Sequence, residues 1–165
     1  MFVRVKEISN KEYAYLVSNE WTKYGSRQRV AKYLGRVIRL AKVEEYPYPE
    51  LKDPRQAIKD LIKRELLNYG FVEKGEVFVN GDLIVEKDFS VKEGSKNVVL
   101  ALNEGFLTKD TIDLALNYSP EETHDKSAKK LASVCLEAGI KLSDSAFLRL
   151  FELHNKEEKP ERIYY

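Results

Sequence analysis

The sequence predicts an α+β fold: an N-terminal three-stranded antiparallel β-meander, then a mixed body with a β-hairpin and about four helices. Three observations predict it. Apolar and polar residues alternate through most of the first forty positions, helical spacing with capping residues dominates after position 53, and Asn80-Gly81 separates two short β-prone runs. A chain of 165 residues suffices for one ordinary domain or for a small module attached to a larger one. With 43% hydrophobic and 33% charged residues and only 8 Gly and 5 Pro, a disordered or fibrous chain is excluded.

Val3 and Val5 alternate with Arg4 and Lys6, and Tyr13, Tyr15 and Val17 alternate with Ala14 and Leu16. The turn-forming Ser9-Asn10-Lys11 lies between them, which makes the pair a hairpin. A polar break at Thr22-Lys23-Tyr24-Gly25-Ser26 precedes a third alternating run over 27–40. Strict alternation puts Arg27, Arg29 and Tyr33 on one face. Tyr46-Pro47-Tyr48-Pro49 must be extended, because proline pushes the residue before it out of helical geometry. The chain therefore divides into a basic β-meander module at 1–43, a linker at 44–52, an α+β body at 53–154 and a charged tail at 155–165.

In the body, Asp53-Pro54 reads as an N-cap followed by proline at the first helical position, and Ile58, Leu61, Ile62, Leu66 and Tyr69 form one face before Gly70. Asn80-Gly81 predicts a type I′ hairpin turn. A strand follows over 97–102, after a charged connection from Glu86 to Lys96, and Thr108 opens a short helix to about Leu116. Ser119-Pro120-Glu121-Glu122 fits a capping box and predicts a helix over 120–138 that Gly139 stops, and Ser143 caps a last helix.

The overall formal charge of +1 conceals an asymmetry. Residues 1–43 carry ten Lys or Arg and three acids, a formal +7, whereas residues 44–165 carry eighteen against twenty-four, a formal −6. Clustered cations suit a polyanion, since each one near a phosphate releases condensed counterions; a basic segment can equally dock on an acidic one. No apolar run approaches the ~20 residues of a membrane span and the N-terminus lacks a signal-peptide layout, so a cytoplasmic location without membrane contact is expected. Sparse Met, Cys and Gln beside abundant Lys, Glu, Tyr and Val match compositions found in hot environments.

Phe2-Val3-Arg4-Val5-Lys6, Glu12-Tyr13-Ala14-Tyr15-Leu16-Val17, Trp21 and Arg27-Gln28-Arg29-Val30-Ala31-Lys32-Tyr33-Leu34-Gly35-Arg36-Val37 resemble the N-terminal segment of insertion-sequence transposases of the DDE superfamily. The resemblance covers about residues 1–40, a quarter of the chain. It implies a β-rich segment that accompanies nucleic-acid chemistry and carries over no catalytic residue, because nothing after Leu40 resembles the transposases' catalytic region.

Catalytic signatures are missing from the sequence. His124 and His154 fall on separate predicted helices, and Cys135 among Ala132, Val134 and Leu136 reads as a small buried apolar residue. No nucleophile elbow, Walker loop or dinucleotide fingerprint occurs. Asp82, Glu86, Asp88, Glu104, Asp110 and Asp113 lack the spacing of a divalent-metal loop and read as solvated charge. The expectation is a non-enzymatic nucleic-acid-binding protein, for DNA or RNA, with no cofactor and no metal. Its expected contacts are Lys23, Tyr24, Arg27, Arg29, Lys32, Tyr33 and Arg36, with Tyr13, Tyr15 and Trp21 adding aromatic surface, although Tyr15 and Trp21 suit the module's own core better. Charge reversal at Arg27 and Arg29 together is expected to weaken binding. The alternatives are an interaction or scaffold module whose basic sheet docks an acidic protein partner or a second copy, with Ile163-Tyr164-Tyr165 as a further binding peptide, and a small metal-dependent nuclease.

Overall fold

The computed structural model describes residues 1–156. Strands β1 (Phe2–Ile8), β2 (Lys11–Thr22) and β3 (Gly25–Arg39) form the expected antiparallel meander. Ser9 and Asn10 both take positive φ, 52° and 63°, the requirement of the tight turn whose twist matches two paired strands. The body contributes helix α1 (Pro54–Asn68), strands β4 (Val72–Lys74), β5 (Val77–Asn80), β6 (Leu83–Val85), β7 (Val91–Glu93), β8 (Lys96–Leu102) and β9 (Gly105–Leu107), and helices α2 (Lys109–Leu116), α3 (His124–Glu137) and α4 (Asp144–His154). The class is α+β, with a mixed sheet, a hairpin in the body and four helices among the described residues.

The sheet runs β1-β2-β3-β8-β7-β6-β5-β4, with β9 also paired to β8. Strand β3 pairs with β8 in parallel, Arg36 beside Val98 and Arg39 beside Ala101. The meander is thus hydrogen-bonded into the sheet of the body, and the boundaries at 43 and 53 cut across one hydrogen-bonded sheet. Residues 44–52 have no regular structure but are anchored: Leu51 is buried, and the Tyr48 hydroxyl donates to the Lys141 carbonyl at 3.0 Å.

Strand β8 has a different core on each face. Val98, Leu100 and Leu102 join α1, α2, α3 and α4 in the main core, with Ile58, Leu61, Ile62, Leu131 and Leu150 at its centre. Val99 and Ala101 join Ala14, Leu16, Leu34, Val37, Val3, Val5 and Phe106 in a second, smaller core. All of these second-core residues lie on strands, so the sheet curls over its own inner face. Gly35 makes the tight join possible: its φ is +136°, and any Cβ there would collide with the Asn97 backbone of β8.

The helix ends follow their capping chemistry. Asp53 accepts from the Gln56 amide at 2.9 Å with Pro54 behind it, Thr108 and Thr111 form a reciprocal capping box, and Ser143 accepts from the Ala146 amide at 3.2 Å. Helix α3 begins later than its sequence predicts. Thr123 takes the cap, accepting from the Lys126 amide at 3.2 Å, while the Ser127 hydroxyl accepts from the Glu121 amide at 2.8 Å and holds the preceding segment as a loop. Ser119-Pro120 therefore lies outside the helix. The body hairpin forms, but Asn80 pairs with Leu83, so the turn is Gly81-Asp82; only Gly81 has positive φ there, and the Asn80 amide group donates to the Tyr69 carbonyl at 3.1 Å.

A charged pair sits inside the fold. Glu65 is 1% exposed and Arg64 4%. The Glu65 carboxylate accepts from Arg64 Nη1 at 3.3 Å, the Lys141 amide at 3.0 Å and Asn103 Nδ2 at 3.0 Å. Arg64 also donates to the Tyr46 carbonyl at 2.8 Å and lies 3.8 Å from the centre of the Tyr48 ring. One buried carboxylate thereby ties α1 to the turn between β8 and β9 and to the segment after α3.

Cys135 is buried, and desolvation pushes its thiol up to about 12, as expected of a small apolar core residue. His154 packs edge-on against Tyr118 with ring centroids 5.1 Å apart, and its Nε2 is buried without a partner among the described residues. Burial, the dominant influence, holds this imidazole below its ordinary pKa of 6.5. A base with a lowered folded-state pKa is protonated more readily in the unfolded chain, so its contribution to stability is intact above about pH 6.5 and declines as the pH falls below it. His154→Phe is expected to shrink the loss of urea-unfolding stability between pH 7.5 and pH 5.5, and an unchanged loss would assign the acid sensitivity elsewhere. No helix among the described residues is long and apolar enough to cross a membrane.

Candidate nucleic-acid interface

Cross-strand pairing fixes which side chains share a face, because directly opposed residues project to the same side of a sheet. Arg4 opposes Tyr15, which opposes Tyr33; Lys6 opposes Tyr13, which opposes Arg36. Farther out, Val17 opposes Val30, Asn19 opposes Gln28, and Trp21 opposes Ser26. These residues form one face, here termed the tyrosine face. The opposite face carries Val3, Val5, Ala14, Leu16 and Val37 toward the small core, with Glu7, Glu12, Glu20, Arg27, Arg29, Lys32 and Arg39 around them.

Strict alternation along 27–40 fails because β3 contains two register shifts, between its pairings with Ala14 and Tyr15 and with Leu16 and Val17. Ala31 and Leu34 are the extra residues. Each bulge advances β3 by one position and exchanges the faces of everything beyond it. Arg27 and Arg29 consequently do not share a face with Tyr33. Lys32 takes the face of Arg29, whereas Tyr33 and Arg36 join Tyr13 and Tyr15.

The two faces differ in charge as well as shape. All three acids of the segment 1–43, Glu7, Glu12 and Glu20, lie on the face opposite the tyrosines. There two of the three meet cations: Glu20 accepts from Arg29 at 3.0 Å, and Glu12 accepts from Arg39 at 2.6 and 2.8 Å, a bond that holds the Glu12 carboxyl below its ordinary range. Lys32 reaches Asp110 in the first turn of α2 at 3.1 Å. On the tyrosine face, Arg4, Lys6, Lys11 and Arg36 have no carboxylate partner among the described residues.

Between the meander and β8 the tyrosine face forms a groove of about 450 Å³, lined by Lys11, Tyr13, Tyr33, Arg36 and Lys96, with Glu93 its one acid. Tyr15 and Tyr33 have centroids 5.3 Å apart and Tyr13 and Tyr33 6.5 Å apart, in tilted arrangements. Lys6 Nζ stands 5.3 Å from the Tyr15 centroid. Tyr33 is 53% exposed, yet its phenol is raised above its ordinary pKa, first by desolvation and then by Tyr15 and Tyr13. Its hydroxyl therefore stays protonated and can donate a hydrogen bond at physiological pH.

Beyond residue 18 the β2–β3 ribbon leaves the core, and positions 19–33 are all exposed. Trp21 is 85% exposed and Tyr24 76%, so Trp21 does not serve the core of the meander. Lys23 and Tyr24 form the turn at its tip, with Lys23 Nζ 4.9 Å from the Tyr24 ring. Of the seven expected contact residues, Tyr33 and Arg36 come together in the groove, Lys23 and Tyr24 stand at the tip, and Arg27, Arg29 and Lys32 lie on the opposite face.

Lys6, Lys11 and Lys96 complete the basic rim and are not among the residues expected from sequence. The phase of β2, with Lys11, Tyr13 and Tyr15 at odd positions and Glu12 at an even one, carried the signal for Lys11. Lys96 arrives through the long-range pairing of β3 with β8. Elsewhere, the acids noted in sequence are mostly engaged singly: Asp113 with Lys109 at 2.8 Å, Glu86 with Lys92 at 3.4 Å, and Asp88 with Ser90. Among the described residues no three His, Cys, Asp or Glu side chains gather in a way that could hold a metal ion. Ile163-Tyr164-Tyr165 lies outside the described residues. No protein-family model, curated protein or solved structure matches the chain.

Proposed function

We propose that this chain is a non-enzymatic nucleic-acid-binding protein whose contact surface is the tyrosine face of the N-terminal sheet. The observation that carries the reading is segregation: four cations and three clustered tyrosines share that face, and every acid of the segment projects to the other. Cations without counter-carboxylates keep their full attraction for phosphate, and guanidinium groups can grip it bidentately. Exposed rings beside them offer surfaces for bases.

The test is fluorescence anisotropy of labelled oligonucleotides with the full chain at roughly 50 and 200 mM salt. Binding that weakens steeply over that range is expected; no binding at the lower salt would overturn the reading. Arg27→Glu with Arg29→Glu is expected to weaken binding only a fewfold, because Arg29 is already paired with Glu20 and both lie off the contact face. Complete loss of binding in that double variant would move the contact surface to the other face.

A second reading, docking of the basic sheet on an acidic protein partner or a second copy, is favoured by the exposed ring of Trp21 at the end of the ribbon. It predicts a salt-insensitive null result with oligonucleotides.

A further inference from the structure

Resting on that reading, we infer that the tyrosine face is a platform for a single strand of nucleic acid, laid along β2 from the Tyr13–Arg36 groove to Trp21, and that it rejects duplex. The shared chemistry of single-stranded DNA and RNA, unstacked bases alternating with phosphates, is what the face matches.

The argument begins with the row itself. Tyr13, Tyr15, Asn19 and Trp21 project from one side of one strand, with Val17 between them buried at 1% exposure, and the eight residue steps of about 3.3 Å from Tyr13 to Trp21 span about 26 Å. That length falls within a binding site of several nucleotides, the scale on which sheet-based single-strand binders work. Aromatic rings occur at both ends of the row, and cations flank it on β1 at Arg4 and Lys6 and on the groove side at Lys11, Arg36 and Lys96. The amides of Asn19 and Gln28 oppose each other in the middle, with the Gln28 oxygen accepting from Arg4 and its NH2 group left to donate. Such groups can bond the Watson–Crick edges of bases that are no longer paired.

A duplex uses this surface poorly. Its bases are stacked and paired, so their ring faces are closed to Tyr33 and Trp21, and only phosphates and groove edges remain to be touched. The three-stranded face is too broad for the minor groove, about 6 Å wide, and a major groove, which admits a two-stranded ribbon, could take only the outer β2–β3 ribbon and not the Tyr13–Arg36 groove. A duplex would engage the cations and forfeit every ring. The chain's one tryptophan lies at the far end of the row, so its own emission reports whether the strand reaches it.

The experiment titrates the full chain with a 12-nucleotide single-stranded DNA, the same sequence as RNA and the corresponding 12-bp duplex at about 50 mM salt, following both anisotropy of the labelled strand and emission of Trp21. Expected are saturable quenching of Trp21 by one or both single strands and affinity for them at least tenfold above that for duplex. The ratio between the DNA and RNA arms identifies the sugar, and either single strand bound in preference to duplex supports the inference. Tyr33→Ala is expected to weaken single-strand binding about tenfold, within the range of one stacked base, while Tyr33→Phe retains it. Tyr33 is exposed enough that both variants should keep the wild-type far-ultraviolet spectrum. Equal or tighter binding of duplex would overturn the single-strand inference and leave the nucleic-acid reading standing; no binding of any of the three would overturn both.

Discussion

Arg36→Glu together with Lys96→Glu is expected to weaken oligonucleotide binding about 100-fold or more at low salt, since charged hydrogen bonds contribute about 1.5–3 kcal/mol each. Both side chains line the groove beside Tyr33, on strands that pair directly, and neither has a carboxylate partner among the described residues. Reversing them adds two acids to a groove whose only present acid is Glu93. Each lost phosphate contact should also reduce the slope of log affinity against log salt by about one, so the double variant should be both weaker and less sensitive to salt. The measurement is a salt series on wild type and variant, accompanied by a thermal melt to show that folding is intact. A variant that binds within threefold of wild type would remove the groove from the interface.

The other large effect concerns stability. Glu65→Ala is expected to cost about 3 kcal/mol, because it strands the Lys141 amide and removes the buried carboxylate of Arg64, which keeps only the exposed Glu45 at 3.3 Å and the Tyr46 carbonyl as partners, while Asn103 keeps the Gly139 carbonyl. For a chain of this length that corresponds to a fall in Tm on the order of 10 °C. Glu65→Gln should be milder, since an amide oxygen in the place of Oε1 still accepts two of the three hydrogen bonds, those from Arg64 and the Lys141 amide. Circular-dichroism melts of the three proteins distinguish the outcomes. A Tm shift of only a degree or two in Glu65→Ala would mean that the network relaxes around the cavity and does not hold α1 to the later segments.

These two sites were unequally legible in the sequence. The segmental charge and alternation of residues 1–40 mark a basic aromatic meander in the sequence itself, since both signals are local. Its correct facing is not local. Ala31 and Leu34 look like ordinary strand residues, and only the register against Tyr15 and Leu16 reveals them as bulges that carry Tyr33 and Arg36 to the side of Tyr13. Lys96 reaches the groove through a parallel pairing about sixty residues away in sequence, which no periodicity encodes. The short strands β4, β7 and β9, three residues each, fall below the length at which alternation is readable, and the charged residues of β4 and β7 resemble loops. Glu65 on α1 looks like one more solvent-facing acid, although it follows Arg64 directly and lies between Ile62 and Leu66 of the apolar stripe. Caps fared better at Asp53, Thr108 and Ser143, because the cap bond is made within three residues of its donor.

Photo-crosslinking of the full chain to a uniformly labelled single-stranded oligonucleotide, with the adducts located by peptide mass spectrometry, tests the assignment of the tyrosine face most directly. Adducts on Tyr33, Tyr13 or Trp21, lost in excess unlabelled single strand, are the predicted result. Adducts confined to α1, α2, α3 or α4, with none on the meander, would contradict it.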